Sequence, residues 1–152
     1  LNKIVVFTCA NQQYGIDIQH VHSIERVFDI TNIPHAPQFI KGVIHLRGEI
    51  IPIIDLKKRL NIGEAENVEQ MKIIIVHMSD VAIGLLVDDA TDILDIEDAD
   101  IEASTHFIAN IDQTTLKGVA KLEDKLLLLL DVPSIFKRDE MIKIKEIMED
   151  ET

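Results

Sequence analysis

Apolar residues fall along this chain in short, strand-sized runs, and most of the runs come in pairs. Ile4-Val5-Val6-Phe7 is followed by the polar Asn11-Gln12-Gln13 and the alternating Tyr14-Gly15-Ile16-Asp17-Ile18, the pattern of a β-hairpin. Further on, Val43, Ile44 and Leu46 face Ile50, Ile51, Ile53 and Ile54 across Leu46-Arg47-Gly48-Glu49. β-branched residues favour a pleated, half-buried surface, and Gly48 supplies the backbone freedom of a tight turn, so a second hairpin carries an arginine at its tip. Asp55 to Leu60 reads as a helical turn. A third hairpin joins Lys72–Met78 to Val81–Val87 across Ser79-Asp80, and a fourth spans Leu116 to Leu130 before a helical turn from Asp131 to Phe136. Between the first two hairpins, Ile18, Val21, Ile24 and Phe28 recur at three- and four-residue spacing, which predicts a short helix from about Gln19 to Arg26. Ile30 to Ile33 is a short strand candidate, ended by Pro34 and Pro37. Residues 61–70 are polar and read as a loop. Residues 88–100 are acidic, with Ile93, Leu94 and Ile96 as apolar anchors, and 101–112 are irregular. From Lys137 onward charge alternates, with Met141, Ile144 and Met148 on one face, which predicts a C-terminal amphipathic helix over about 137–150.

The pattern repeats. Shifted by 76 positions, Lys41-Gly42-Val43 falls on Lys117-Gly118-Val119, Leu46 on Leu122, Ile53-Ile54 on Leu129-Leu130 and Asp55 on Asp131. Tyr14-Gly15-Ile16-x-Ile18 likewise matches Ile83-Gly84-Leu85-x-Val87 at a shift of 69. The chain is two copies of one unit (hairpin, link, hairpin, helical turn), over about 3–60 and 71–136, within a single domain of 152 residues. Four or five short strands per copy suit a small, strongly bent barrel, and two such barrels side by side would share an Ile/Leu/Val seam. Positions matched in both copies belong to the fold, the two aspartates as caps of the helical turns. Arg47 is not matched. Its counterpart is Glu123, and that of Gly48 is Asp124, so the hairpin itself does not require an arginine.

Composition narrows the function. Aromatics are 4% of the chain, without Trp, so the core is Ile, Leu and Val. A formal charge of -12 repels phosphate backbones and anionic lipid, which argues against a nucleic-acid partner and against direct membrane insertion, as does the lack of any bilayer-length apolar run. One cysteine, Cys9, forms no internal disulfide, which suits a reducing cytoplasm. The chain opens on Leu1 rather than Met, as expected of a trimmed chain or a piece of a longer product.

Candidate chemistry is sparse. His20, His22, His35, His45, His77 and His106 are scattered, with no Cys or carboxylate at ligand spacing, and no metal or other cofactor is expected. The acidic run lacks calcium-loop spacing. There is no glycine-rich phosphate loop and no nucleophile elbow. Cys9 in or beside the first strand reads as buried and inert. The apolar faces of Ile18, Val21 and Ile24, and of Val87, Ala90 and Ile93, are ordinary core on the simplest reading, and Arg47 an ordinary solvated tip. The functional alternative is an apolar seam left open beside a charged tip, which suits protein recognition.

Several motifs, in order, carry a resemblance: Val6-Phe7-Thr8, Tyr14-Gly15-Ile16-Asp17-Ile18, Phe39-Ile40-Lys41-Gly42-Val43, Leu46-Arg47-Gly48 and Ile51-Pro52-Ile53-Ile54-Asp55-Leu56. From about Val5 to Phe136 the chain resembles the CheW family, the coupling proteins of bacterial chemotaxis. His45 stands where members commonly carry Asn, and Glu49 replaces a more usual apolar or small residue; both bear on partner preference. The resemblance implies a mainly β fold of two pseudo-repeated five-stranded SH3-like β-barrels packed together, with short helices and a C-terminal helix. It implies a non-catalytic, cytoplasmic adaptor, recruited to membrane-bound receptor arrays, that joins the regulatory domain of the histidine kinase CheA to the cytoplasmic hairpin tip of methyl-accepting chemoreceptors. It places the receptor contact on Arg47, Val21, Ser23, Val87, Ala90 and Ile93, with Ile18 and Ile24 nearby, and makes the kinase contact barrel to barrel without assigning residues. Two alternatives stand beside it: the coupling domain of a CheV-type protein or of CheA itself, and a small metal-dependent hydrolase on a twin-barrel scaffold.

Overall fold

A computed structural model describes residues 1–78, 80–102 and 115–151. Its strands are β1 (Asn2–Cys9), β2 (Gln12–Asp17), β3 (Val21–Arg26), β4 (Ile40–Leu46), β5 (Glu49–Asp55), β6 (Lys72–Met78), β7 (Val81–Val87), β8 (Asp89–Ile96), β9 (Ile101–Glu102), β10 (Leu116–Leu122) and β11 (Lys125–Leu130); its helices are α1 (Leu56–Arg59) and α2 (Arg138–Glu151). All four hairpins expected from the apolar pairs are present. The strands form two sheets, β8-β1-β2-β11-β10-β9 and β3-β6-β7-β5-β4.

The sheets are not built one per repeat. Each takes its front hairpin from one copy and its third strand and back hairpin from the other: β1 and β2 join β8, β10 and β11, while β6 and β7 join β3, β4 and β5. The exchange is made at two parallel junctions, with Gly15 beside Leu129 and Gly84 beside Ile53. A Cβ on Gly15 would stand 2.5 Å from Ile4 Cγ2 of the neighbouring β1 and 3.0 Å from Leu129 Cδ2 across the junction, and one on Gly84 2.6 Å from Ile53 Cδ1, so packed side chains crowd both glycines. Both sheets curl back on themselves. The chain leaving β3 returns so that Thr31 bridges Val43 of β4, and β8 continues through a 3-10 turn at Asp98–Asp100 into β9, which pairs with β10. This gives the two SH3-like units their barrel form.

Because they are buried on both faces, β1, β6, β7 and β11 carry unbroken apolar runs rather than strict alternations. Ile73 and Ile75 of β6 point into one barrel with Ile44, Ile51 and Ile53. Ile74, Val76 and Met78 of the same strand point into the seam, where they meet Phe7, Tyr14, Ile16, Leu128 and Leu130 of the other sheet. Ile4, Val6, Leu127 and Leu129 fill the second barrel. Helix α2 closes the seam with Ile144, and Met141 and Ile147 pack beside it. Its first turn is fastened by Arg59, which pairs with Glu140 at 2.9 Å and lies over the rings of Phe39 and Phe136 at 5.7 and 5.4 Å. Glu140 also accepts a hydrogen bond from Lys137 N, satisfying a free donor at the helix start.

Four expectations change. The predicted helix over 19–26 is a 3-10 turn, Ile18–His20, followed by strand β3. A β-bulge explains the misleading period: the register slips between Val21 and Ser23, so Val21 opposes Val76 and Ile24 opposes Ile74. Residues three apart thereby share one face of a strand, as they would on a helix. The acidic 88–100 stretch contains β8, with a matching slip that puts Ala90 opposite Phe7 and Ile93 opposite Val5. The 30–33 segment contributes the single Thr31 bridge rather than a strand. Of the two aspartates, Asp55 caps α1 through Lys58 N at 3.2 Å, whereas Asp131 accepts from the Ser134 hydroxyl at 2.7 Å and caps no backbone donor. Of the stretch read as irregular, 101–112, residues 103–112 lie outside the described residues.

Candidate functional site

The β4–β5 hairpin closes on the pair Leu46 and Glu49, leaving Arg47 and Gly48 as a two-residue loop with φ of 50° and 82°. Two positive φ values in succession are the geometry that matches the twist of a hairpin, and they favour Asn or Gly. Arginine there carries a left-handed strain of roughly 1 kcal/mol. The equivalent tip of β10–β11 has Glu123 at φ 42°. Neither side chain is selected by the turn.

Arg47 leans over β3. Its Nη2 lies 3.9 Å from Oε2 of Glu25, with the arginine side chain 68% exposed and that of Glu25 19%. So long and open an ion pair contributes only about 0–1 kcal/mol; its consequence is position, holding the guanidinium beside the strand that carries Val21, Ser23 and Ile24.

The remaining residues of the sequence-derived set separate into three groups. Val21 and Ala90 are partly buried against the seam, and Ile24 and Ile93, 42% and 52% exposed, continue the same faces outward. These four sit at matching positions on β3 and β8, edge strands of different sheets. Between those edges lie β1 and β6, and an ion pair from Lys72 of β6 to Asp89 of β8 at 3.7 Å crosses the seam. Ile18 is half-buried in the 3-10 turn that packs between β1 and β6. Ser23 opposes Ile75 and so turns toward the barrel interior, where its hydroxyl is buried with no hydrogen-bond partner among the described residues. Val87 is fully buried in the shared core and offers no surface. The apolar face open to a partner is therefore Val21, Ile24, Ala90 and Ile93; Glu25, the contact of Arg47, opposes Ile73 and so lies on the other face of β3.

Two features escaped the sequence reading. Asp88, between β7 and β8, ties the barrels together: Lys57 of α1 pairs with it at 2.8 Å, and its other carboxylate oxygen accepts from Ala10 N of the β1–β2 turn at 2.9 Å. Burial disfavours the Lys57 ammonium, but the Asp88 hydrogen bond and charge outweigh it and hold the lysine above its ordinary value. Nothing in the local sequence connects residues 10, 57 and 88. The second feature is a cleft of about 610 Å³ between β8 and the β10–β11 tip, where Asp92, Asp95 and Asp100 join Glu123 and Asp124. Its signal was the acidic run together with the acidic second tip, seen only once β8 is a strand.

Burial pushes the Cys9 thiol up to about 12, far from a usable thiolate. Among the described residues no three or more His, Cys, Asp or Glu side chains gather in a way that could hold a metal. His22 and His77 meet edge to face with ring centroids 5.1 Å apart.

The CheW-like domain model matches residues 3–140, nearly the whole chain. The chain belongs to the CheW-like domain family. This CheW-like chain is 32% identical over 137 residues to the chemotaxis protein CheW of Bacillus subtilis, covering 90% of this chain and 88% of that one. It is 35% identical over 125 residues to the chemotaxis protein CheV3 of Helicobacter pylori, covering 80% of this chain and 40% of that longer protein. The crystal structure of the scaffolding protein TtCheW from Thermoanaerobacter tengcongensis is similar throughout, with a TM-score of 0.82, 39% identity, and 91% and 90% of the two chains covered.

Proposed function

We propose that this CheW-like protein is a non-catalytic chemotaxis adaptor that joins the regulatory domain of a CheA-type kinase to the cytoplasmic hairpin tip of a chemoreceptor, in the cytoplasm at membrane-bound arrays. The observation that carries the receptor half is the pair of exposed isoleucines, Ile24 and Ile93, at matching places on either side of the seam; Arg47 reaches the strand of the first through Glu25. Exposed apolar side chains between polar rims are what a helical partner inserts against, and a guanidinium at the rim pairs with a carboxylate or carbonyl. The kinase half rests on family membership: a barrel of this form docks a homologous barrel, on a surface separate from the seam. Signals then pass as shifts in geometry or population, without bond chemistry.

The match to 40% of the CheV3 relative supports a CheV-type coupling domain as a second reading. Family membership favours the adaptor over a metal-dependent hydrolase. The experiment is co-purification of the chain with a kinase regulatory domain and a two-helix receptor signalling fragment. A ternary complex is expected; retention of neither component would refute the proposal.

A further inference from the structure

The apolar face continues past its exposed isoleucines into charge. On β3, Ile24 opposes Ile74 and Arg26 opposes Lys72, with no slip between the two pairs. Arg26 therefore stands on the face of Ile24, about 7 Å along the strand. On β8, Ile93 opposes Val5 and Asp95 opposes Lys3, again without a slip. Each copy thus carries a charged residue just beyond its isoleucine, opposite a lysine, and the two copies differ in its sign. In one copy the pair is complementary: Lys3 Nζ lies 3.0 Å from Asp95 Oδ1. In the other, two cations face each other, and like charges directly opposite destabilise a sheet. Lys72 reaches Asp89 across the seam at 3.7 Å. Arg26 is exposed, and its guanidinium has no ion pair or hydrogen bond among the described residues.

We propose that Arg26 is the anion-recognising end of the groove: a helical partner that covers Ile24 and Ile93 with apolar side chains sets a glutamate or aspartate against Arg26 and the neighbouring Lys72. The fold does not ask for arginine here, since the equivalent position holds an acid that pairs with its lysine. A carboxylate from outside supplies the partner that the cross-strand pair lacks. Arg47 differs, because its contact Glu25 opposes Ile73 on the other face of β3, whereas Arg26 shares the apolar face. A charge pair at an exposed rim adds modest affinity and acts more on the rate of encounter and on which face of the partner docks. The inference rests on the receptor-groove reading above and adds to it one residue and a charge requirement on the partner.

The test measures the affinity of a two-helix chemoreceptor signalling fragment for the full chain, with a thermal melt of each variant. The variants are Arg26→Gln, Arg26→Glu, and Ile24→Thr combined with Ile93→Thr. At low salt Arg26→Gln is expected to bind about threefold more weakly than wild type and Arg26→Glu about tenfold, and both losses should shrink at about 0.5 M salt. Arg26→Glu places an acid opposite Lys72, as Asp95 stands opposite Lys3, so its melting temperature should equal or exceed that of wild type. Equal binding by wild type and both Arg26 variants overturns the inference. So does a loss of binding that salt leaves unchanged or that comes with a lower melting temperature. In each of these cases the groove stands if the double isoleucine variant still binds more weakly. Binding that survives the isoleucine changes, or no binding by wild type, overturns the groove reading itself and the part of Arg26 with it.

Discussion

The two hairpin tips are the same turn with opposite charge, and that contrast separates fold from function within one chain. Both close on a leucine, Leu46 or Leu122, and both place the next residue in left-handed backbone. One copy uses arginine there and the other glutamate. By contrast, each hairpin keeps a glycine one residue into its first strand's bulge, Gly42 and Gly118, where the chain that curls the sheet back passes close by. What both copies share is steric necessity. What only one copy has is available for selection by a partner.

The largest effect is expected where that necessity is tightest. A Cβ at Gly42 would stand 2.3 Å from Thr31 O and 2.9 Å from Thr31 C, backbone atoms with little room to retreat. Gly42→Ala should destabilise by about 3 kcal/mol or more, beyond ordinary overpacking. Gly118→Ala, whose Cβ would meet Glu102 O at 2.9 Å, should cost about 1–3 kcal/mol. Urea midpoints of the two variants test the ordering; equal losses would mean the two closures are alike in tightness.

A pH-dependent effect comes from three buried or half-buried titratable groups near the seam. Burial lifts Cys9 from 9.0 to about 12, and burial with a nearby Cys9 thiolate lifts Tyr14 from 10.0 to about 12. Lys57 is held up by Asp88. All three bind their protons more tightly folded than unfolded. Their contribution is complete below the unfolded values and is lost as pH rises from about 9 through 12. Stability measured by denaturant titration should therefore fall across that window, and Cys9→Ala should make the fall shallower. An identical slope in Cys9→Ala would remove the thiol from the account.

The smallest stability effect belongs to the tips. Arg47→Asn and Glu123→Asn should each move stability by less than about 1 kcal/mol, and in the same direction, because asparagine tolerates left-handed backbone. Thermal melts that moved in opposite directions would show that one tip side chain supports the fold.

Much of this architecture was legible in the apolar pairs. They gave all four hairpins, and the 76-position match identified Gly42/Gly118 and Asp55/Asp131 as shared. Strand exchange between the copies was not legible, because an unbroken run such as Lys72–Met78 reveals burial on both faces without naming the partner on either. The two edge strands were misread for a common reason. A bulge made Val21 and Ile24 mimic helical spacing, and in β8 the same device placed Ala90 and Ile93 on one face amid exposed aspartates. Of the candidate site, Arg47, Val21, Ile24, Ala90 and Ile93 lie on or at the edge of the surface, Ile18 is half-buried, and Val87 and Ser23 turn inward. Sequence matching carried their positions but not which way each side chain faces.

The central claim is that the copy-specific arginine serves a partner and not the fold. The measurement that meets it most directly is the affinity of a two-helix chemoreceptor fragment for wild type and Arg47→Ala, with the melting temperature of each. Binding should weaken about tenfold or more while the melting temperature stays close to that of the wild type. Equal affinity, or a loss of binding matched by a loss of stability, would contradict it.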